Sequence, residues 1–589
     1  MRKLFKLSPY ILSVAGVLSI VPSLMGNDAI SQTFFSVRPQ FQSMAPEMVS
    51  QFRGERSHAR VDGVGGALQF VVFGGKSSGD GCSDNKLAKF FMPFGKTSLV
   101  VGEPNSAAAS DGTLDLLATY FGILTDTMNP ALGIFNRTIG GVKRPTTFQS
   151  TIKFAPKQTV FGLGLGYRQS FAKEDEDKGF FLSISAPIMR VKNDLGFDET
   201  ITDAGGTAPT GFAANMRSAL QGDPVLNWGP ISAADDFTYP GIDDTATTKQ
   251  FNFGKIASST SSSSNCGSGT SSDCSGALTK WGLADIEVKL GYECTREEMC
   301  YSEGYIGVVL PTGTRPKGEF IFEPIVGNNK HFGFMVGGSC GFEIWQSDEN
   351  AGRLWFECDY DGRYLFSNTQ KRSFDLINNQ WSRYLWVYED STKTAIADIQ
   401  PGINFFTQDM RVTPRTVVNC NSALVYKGET FQGEVGYNFF ARSTEKVELC
   451  PGWKVGPGIA GFDSTDVNQT AGVAADTGKA FTASNANIRR LIGVQQIPVP
   501  DRGEVPTVDK VLTGGILRPQ FIAIKEEDID LRSAAHPGVI AHTFYASAGA
   551  RWDDKEYPPF VGLGASYEFA LDNTALSRWL AWAKFGFSF

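Results

Sequence analysis

The chain has 589 residues, with 64 glycines, 45 phenylalanines, 20% charged residues and a formal net charge of −8. That acidity disfavours nucleic acid as a partner, and after residue 21 no run of 18 apolar residues remains to cross a membrane as a helix. Glycine and aromatics in excess over moderate charge suit strands with one apolar and one wet side.

Met1-Arg2-Lys3-Leu4-Phe5-Lys6 is basic, and residues 11–21 form an apolar run of the kind found in secretory signals, too short to span as a helix. The sequence therefore predicts a signal over 1–26, with cleavage near 23–29, and one unit over 27–589. No cysteine lies near that site to take a lipid, since the first is Cys82.

Residues 32–41 read as a first strand or as a periplasmic lead. A strand follows at 62–75, with Leu68, Phe70 and Val72 on one parity. Residues 89–102 read as strand material broken by Pro93, and 114–124 stay open between helix and strand. At 161–168, Phe161, Leu163, Leu165 and Tyr167 share one face while glycines and Arg168 share the other. An acidic turn at 173–178 joins this strand to Phe180, Leu182, Ile184, Ala186 and Ile188. The period is lost over 192–279, a segment with one helix candidate at 213–220 and a serine run at 258–264. A loop of that length is functional or disordered.

The period returns with Ala284, Ile286, Val288, Leu290 and Tyr292, and continues through 304–312, 318–326, 331–345, 353–366, 381–388 and 396–408. Residues 417–426 then pair with a strand holding Phe431, Val435, Tyr437 and Phe439. A second irregular stretch, 443–512, holds a short helix candidate at 483–492. Strands at 515–524, 543–552 and 560–569 precede the last, in which Trp579, Ala581, Ala583, Phe585, Phe587 and Phe589 alternate with Lys584, Gly586 and Ser588.

That final strand resembles the terminal strand of bacterial outer-membrane β-barrels, which end in Phe with aromatics at alternate positions before it. Taken alone, it is also compatible with an edge strand of a soluble sandwich. The expected class is all-β, a closed antiparallel transmembrane barrel of about 16 strands (range 12–18) with long loops at 192–279 and 443–512. Parity alone does not separate this from a soluble barrel with its apolar side inward. Two features favour the membrane: the export signal with the aromatic last strand, and the smallness of the polar parity, where Gly162, Gly164, Gly166, Gly562 and Gly564 make a poor solvent face. Trp281, Tyr292, Trp381, Trp386, Trp552 and Trp579 then suit interfacial girdles or ordinary packing.

With this parity, Arg168, Asp285, Glu287, Lys289, Arg353, Glu357, Asp359, Glu434, Arg551, Glu568 and Lys584 are expected to line a lumen, with at most a weak cation preference. Local disulfides are expected within Cys266 and Cys274, Cys294 and Cys300, Cys340 and Cys358, and Cys420 and Cys450, leaving Cys82 over. No Cys-x-x-Cys pair exists and the four His residues are scattered, so neither a metal site nor a cofactor is expected. No nucleophile lies in a triad signature, and no catalysis is expected.

The run Gly282-Leu283-Ala284-Asp285 with Leu310-Pro311-Thr312-Gly313 resembles the Gly-x-x-Asp strand and apolar-Pro-x-Gly hairpin of the outer-membrane transporter family associated with phenol meta-pathway clusters. That resemblance implies uptake of a hydrophobic substrate. The cysteine usage resembles, in composition, the major outer-membrane proteins of chlamydia-like bacteria. The leading expectation is a porin-like outer-membrane channel for passive diffusion of small polar solutes, integral to the bacterial outer membrane and in contact with its lipid. The alternatives are a structural or adhesive surface protein anchored by a barrel, and a hydrophobic-solute transporter with an N-terminal plug made from residues such as Phe34 to Phe41. Porins commonly form trimers, but no interface signature is legible in the chain.

Overall fold

A computed structural model describes residues 31–38, 65–77, 87–102, 115–123, 138–139, 142–143, 148–171, 178–205, 213–222, 251–257, 277–297, 299–347, 352–389, 399–453, 456–460, 480–481, 488, 523–552, 554–570 and 576–589. The signal at 1–26, Cys82, Cys266, Cys274, the serine run and most of the strand expected at 515–524 lie outside them, as does the side chain of Cys294.

The strongest alternating runs form one antiparallel sheet of 13 strands. In chain order these are β1 (Gly66–Ser77), β2 (Lys157–Ser170), β3 (Gly179–Asp194), β4 (Leu278–Leu283), β5 (Ile286–Glu297), β6 (Cys300–Leu310), β7 (Gly333–Gln346), β8 (Gly352–Leu365), β9 (Arg415–Gly428), β10 (Phe431–Arg442), β11 (Val539–Arg551), β12 (Pro559–Ala570) and β13 (Arg578–Ser588). Each pairs with its neighbour in sequence, except that β3 holds β4 along residues 188–193 and β5 along 179–185. The sheet closes where β13 pairs with β1, with Phe585 opposite Phe70 and Phe587 opposite Leu68. The result is a closed 12-strand barrel with β4 as one extra strand. Closure pairs each of the twelve ring strands on both sides, which is what hydrocarbon demands of a sheet.

Twelve is the lower limit of the expected range, and the shortfall from 16 has a definite source. Four runs read as further strands of the sheet fold elsewhere. Residues 89–102 become a helical turn at Ala88–Phe91, a 3-10 turn at Pro93–Gly95 and the short strand Ser98–Gly102. Residues 318–326 are irregular, 381–388 hold a 3-10 turn with the three-residue strand Trp386–Tyr388, and 396–408 split into Ile399–Pro401, Gly402–Phe405 and the start of Thr407–Thr413. All contribute to a cap at the end of the barrel where the long connections lie. The other end carries the short turns, and there Gly66 and Phe589 exchange backbone hydrogen bonds of 2.7 and 2.9 Å.

The cap has its own core. Trp381, Tyr384 and Trp386 are completely buried with Phe91, Tyr120, Phe121 and Phe251. The Trp381 indole N–H donates to the Phe91 carbonyl at 2.9 Å, and that of Trp386 to the Tyr120 carbonyl at 2.9 Å. Both tryptophans were candidates for an interfacial girdle and are instead cap core. Asp375 shapes this turn, accepting from the backbone N–H groups of Trp381 and Arg383 and pairing with the Arg383 guanidinium at 2.6 Å. Burial raises the Asp375 carboxyl above its usual range, against the pull of Arg383.

The outer surface of the barrel is apolar along one parity of every strand. Leu563 is 68% exposed, Val435 66% and Leu163 41%. Trp281, Trp579, Tyr364 and Phe366 stand toward the cap end of this face, while Tyr292, Phe342, Trp345 and Trp552 stand toward the short-turn end, as two aromatic belts. Among the described residues no helix is long and apolar enough to cross a membrane.

Candidate functional site

Alternation places the opposite parity of each strand in the lumen, and four groups of paired charges occupy it. Near the short turns, Arg168 reaches Glu293 at 2.9 Å and Glu303 at 2.8 Å, and its guanidinium lies 3.5 Å above the Phe181 ring. Across the wall, Lys427 pairs with Glu357 at 2.9 Å, and Glu434 accepts from the Tyr545 hydroxyl at 2.6 Å. Higher up, Arg363 bridges Asp361 at 2.6 Å and Glu287, which Lys289 approaches at 3.4 Å. Beneath the cap, Glu568 is held by Arg578 at 3.1 Å and by Arg38 at 3.0 Å.

Arg38 belongs to no strand. It ends the segment 31–38, whose upper part is tied to the cap: the Gln32 N–H donates to the Phe90 carbonyl, and the Thr33 N–H to that of Ser533. Phe35 packs in the cap core among Phe90, Phe91 and Phe322, and Phe34 lies under the Arg372 guanidinium. From there the segment enters the barrel, where Arg38 also donates to Asn438 at 2.9 Å and Asn419 at 3.1 Å. One side chain thus joins the amino-terminal segment to β9, β10 and β12, and Arg578 on β13 donates to the Arg38 carbonyl at 2.9 Å. Residues 32–41 are therefore no strand of the sheet as far as Arg38. This segment links the cap to the inner wall.

The residues expected to line a lumen take the following places. Arg168, Glu287, Lys289, Glu357, Asp359, Glu434, Arg551, Glu568 and Lys584 all lie on the inward parity, and most are buried. Two are used differently. Asp285 sits in the break between β4 and β5, where it accepts from the backbone N–H groups of Gly313 at 3.0 Å and Asn328 at 2.5 Å. It fastens the β6–β7 connection to the wall, which is the physical content of the Gly-x-x-Asp and Pro-x-Gly pattern. Arg353 lies at the short-turn rim, 39% exposed in its side chain and 3.6 Å from Glu343.

Sequence reasoning passed over Asp361 and Arg363, although they continue the inward parity of Glu357 and Asp359. It also passed over Arg38, for which no periodic signal exists. The inward glycines do not open onto water as expected. A Cβ on Gly162 would meet the Phe73 ring at 2.4 Å, and one on Gly564 the Trp582 ring at 2.3 Å. Large rings from neighbouring strands lie over these glycines, so the described lumen is as much packed as polar.

Cys300, Cys340, Cys358, Cys420 and Cys450 form no disulfide in this structure. Cys340 and Cys358 stand opposite each other on β7 and β8 as expected. Cys420 and Cys450 do not pair, because Cys420 is on the wall while Cys450 is in the cap, hydrogen-bonded through its N–H to Asp409. Among the described residues no group of His, Cys, Asp and Glu is arranged to hold a metal ion. Two histidines outside the wall are buried: burial pushes His331 down to about 4, and pushes His536, close to Arg442, well below its usual value.

No family model matches the chain, and no curated protein matches it. Solved structures similar to it include an outer membrane channel from Pseudomonas putida F1 (8% identity, TM-score 0.33, covering 89% of this chain and 96% of that one). Others are the transport unit of the autotransporter AIDA-I from Escherichia coli (8%, 0.27, 94% and 100%) and a Pseudomonas aeruginosa FadL homologue (7%, 0.25, 90% and 90%). These values carry no inference about activity. The closed antiparallel ring, its apolar outer band and its aromatic belts are those of a β-barrel that crosses a membrane.

Proposed function

We propose that the protein is an outer-membrane channel for small polar solutes, shut in this state by the amino-terminal segment and the cap. The observation that supports this reading is Arg38, a buried cation carried by the amino-terminal segment rather than by the wall, paired with Glu568, Asn419 and Asn438 at the mouth of a charged lumen. A wall residue could only line the path, whereas a residue on a segment that enters from the cap can leave it. Acids and bases meet in each lumen group, so the open state selects weakly by charge.

The test is conductance of the full chain in planar bilayers beside Arg38→Ala. Removing the guanidinium leaves Glu568 with Arg578 alone and loosens the plug, so the variant should open more often, with a reversal potential close to zero or slightly cation-selective. If both proteins leave bilayers silent and liposomes impermeable to small sugars, the channel reading fails. A second reading, transport of a hydrophobic solute, draws support from the amino-terminal segment itself and from the apolar lumen cluster of Val71, Phe73, Val160, Met189, Leu580 and Trp582. Under it, liposomes would stay closed to sugars yet take up an apolar solute.

A further inference from the structure

The outward parity of β7, β8 and β9 is interrupted by thiols at mid-height. Cys340 is opposite Cys358. Cys358 in turn makes a side-chain contact with Cys420, although the register sets Cys420 against Tyr360, two residues along. The Ser422 hydroxyl lies 3.8 Å from the Cys358 sulfur. Their neighbours on the same parity, Val336, Phe342 and Leu424, are exposed apolar residues of the outer band. None of the three cysteines is near a turn, and all belong to a chain whose strands close a membrane barrel.

We propose that Cys340, Cys358 and Cys420 form a dithiol–disulfide site on the lipid face, with Cys358 as the shared centre. Directly opposed residues of an antiparallel pair have Cα atoms about 4.5–5.5 Å apart, inside the window a disulfide needs. Cys340 and Cys420 are on strands separated by β8, about 9–10 Å apart at ordinary strand spacing, which is beyond bridging. Any bond among the three therefore includes Cys358.

The chemistry needs an exogenous disulfide, RSSR. The Cys358 thiolate attacks one of its sulfurs and releases RS⁻. Cys340, as thiolate, then attacks the Cys358 sulfur of the mixed disulfide and releases the second RS⁻. The two protons lost by the cysteines are taken up by the two leaving thiolates, so that a dithiol and RSSR become a protein disulfide and two RSH. Cys420 can next attack the Cys358 sulfur, expelling Cys340 as a thiolate that regains a proton, which moves the bond across β8 without further oxidation. Hydrocarbon disfavours thiolates. The exchange accordingly belongs to folding, before the wall meets lipid, and the finished bond is shielded from reductants in water.

The test is non-reduced peptide mapping of the full chain, folded into detergent micelles with oxidised glutathione and then denatured with N-ethylmaleimide present. Heat-shifted gel migration checks that each protein has folded. The wild type should show Cys340 joined to Cys358, with Cys420 alkylated. Cys340→Ala should join Cys358 to Cys420, and Cys358→Ala should leave both remaining thiols alkylated. A folded wild type with all three thiols alkylated overturns the proposal, whatever the variants do. A link between Cys340 and Cys420, or any link to either of them that survives in Cys358→Ala, also overturns it.

Discussion

The wall and the cap are built from sequence with the same period, and they bury opposite halves of it. On β12, Val561 and Leu563 face outward while Glu568 is buried in the lumen. In the cap strand Thr407–Thr413, Met410 and Val412 are completely buried, while Asp409 and Arg411 between and beside them are exposed. A period of two records only that a strand has two unlike faces. What lies beyond each face is decided by closure: a ring shuts off its inner face and leaves the outer to lipid, whereas a short open sheet must fold over its own apolar side.

The largest effects are expected where each region is disturbed at its centre. Arg363→Ala would leave Glu287 and Asp361 buried without their shared cation, and loss of one partner from such a cluster costs about 3–5 kcal/mol. Urea unfolding of the reconstituted barrel should show it, with Arg363→Met less harmful than a change that leaves a cavity. Trp381→Ala should cost a similar amount, about 3–5 kcal/mol, but in the cap alone. Limited proteolysis should then cut the cap while the barrel keeps its heat-resistant migration. If Trp381→Ala unfolds barrel and cap together, the two are one cooperative unit.

Next in size is Leu563→Arg on the outer face, expected to cost about 2–4 kcal/mol at the bilayer midplane. The same change at a soluble strand's outer face would be almost neutral, so a negligible effect would speak against the membrane assignment of β12.

The smallest effect expected is a difference between cap and wall in their response to pH. His331 and His536 are held neutral by burial, with His331 pushed down to about 4. A group depressed in this way adds nothing above its unfolded value of about 6.5, because both states are then neutral. As pH falls from about 6.5 toward 4, the unfolded chain takes up protons that the folded chain refuses, and stability is lost. Burial raises the Asp375 and Glu199 carboxyls, which oppose this trend in the lower part of the window. Protease resistance of the cap should therefore decline between pH 7 and pH 5 while that of the barrel changes less, and His331→Gln should flatten the decline.

Much of the wall was legible because it repeats one rule. The strands holding Phe161, Ile286, Val435 and Leu563 each keep apolar and polar residues on separate parities over ten or more residues, and all of them pair as expected. The cap was not legible for the same reason. Residues 399–405 alternate over a few residues and 384–388 form a short apolar run, and nothing within either says that Trp381 will adopt a left-handed backbone (φ 62°) whose N–H is held by Asp375. Arg38 was illegible in another way. Its role depends on carboxylate and amide groups hundreds of residues distant, and such convergence leaves no local pattern.

Which parity of the wall meets hydrocarbon decides the membrane assignment. Single nitroxides placed at positions 561 to 566 of β12 in liposomes report this through their collisions with oxygen, which concentrates in lipid, and with a nickel chelate, which stays in water. Collisions with oxygen should be high at 561, 563 and 565 and low at 562, 564 and 566, with the nickel chelate excluded from the first set. The same scan with the parity reversed, or with nickel reaching 561, 563 and 565 freely, would contradict it.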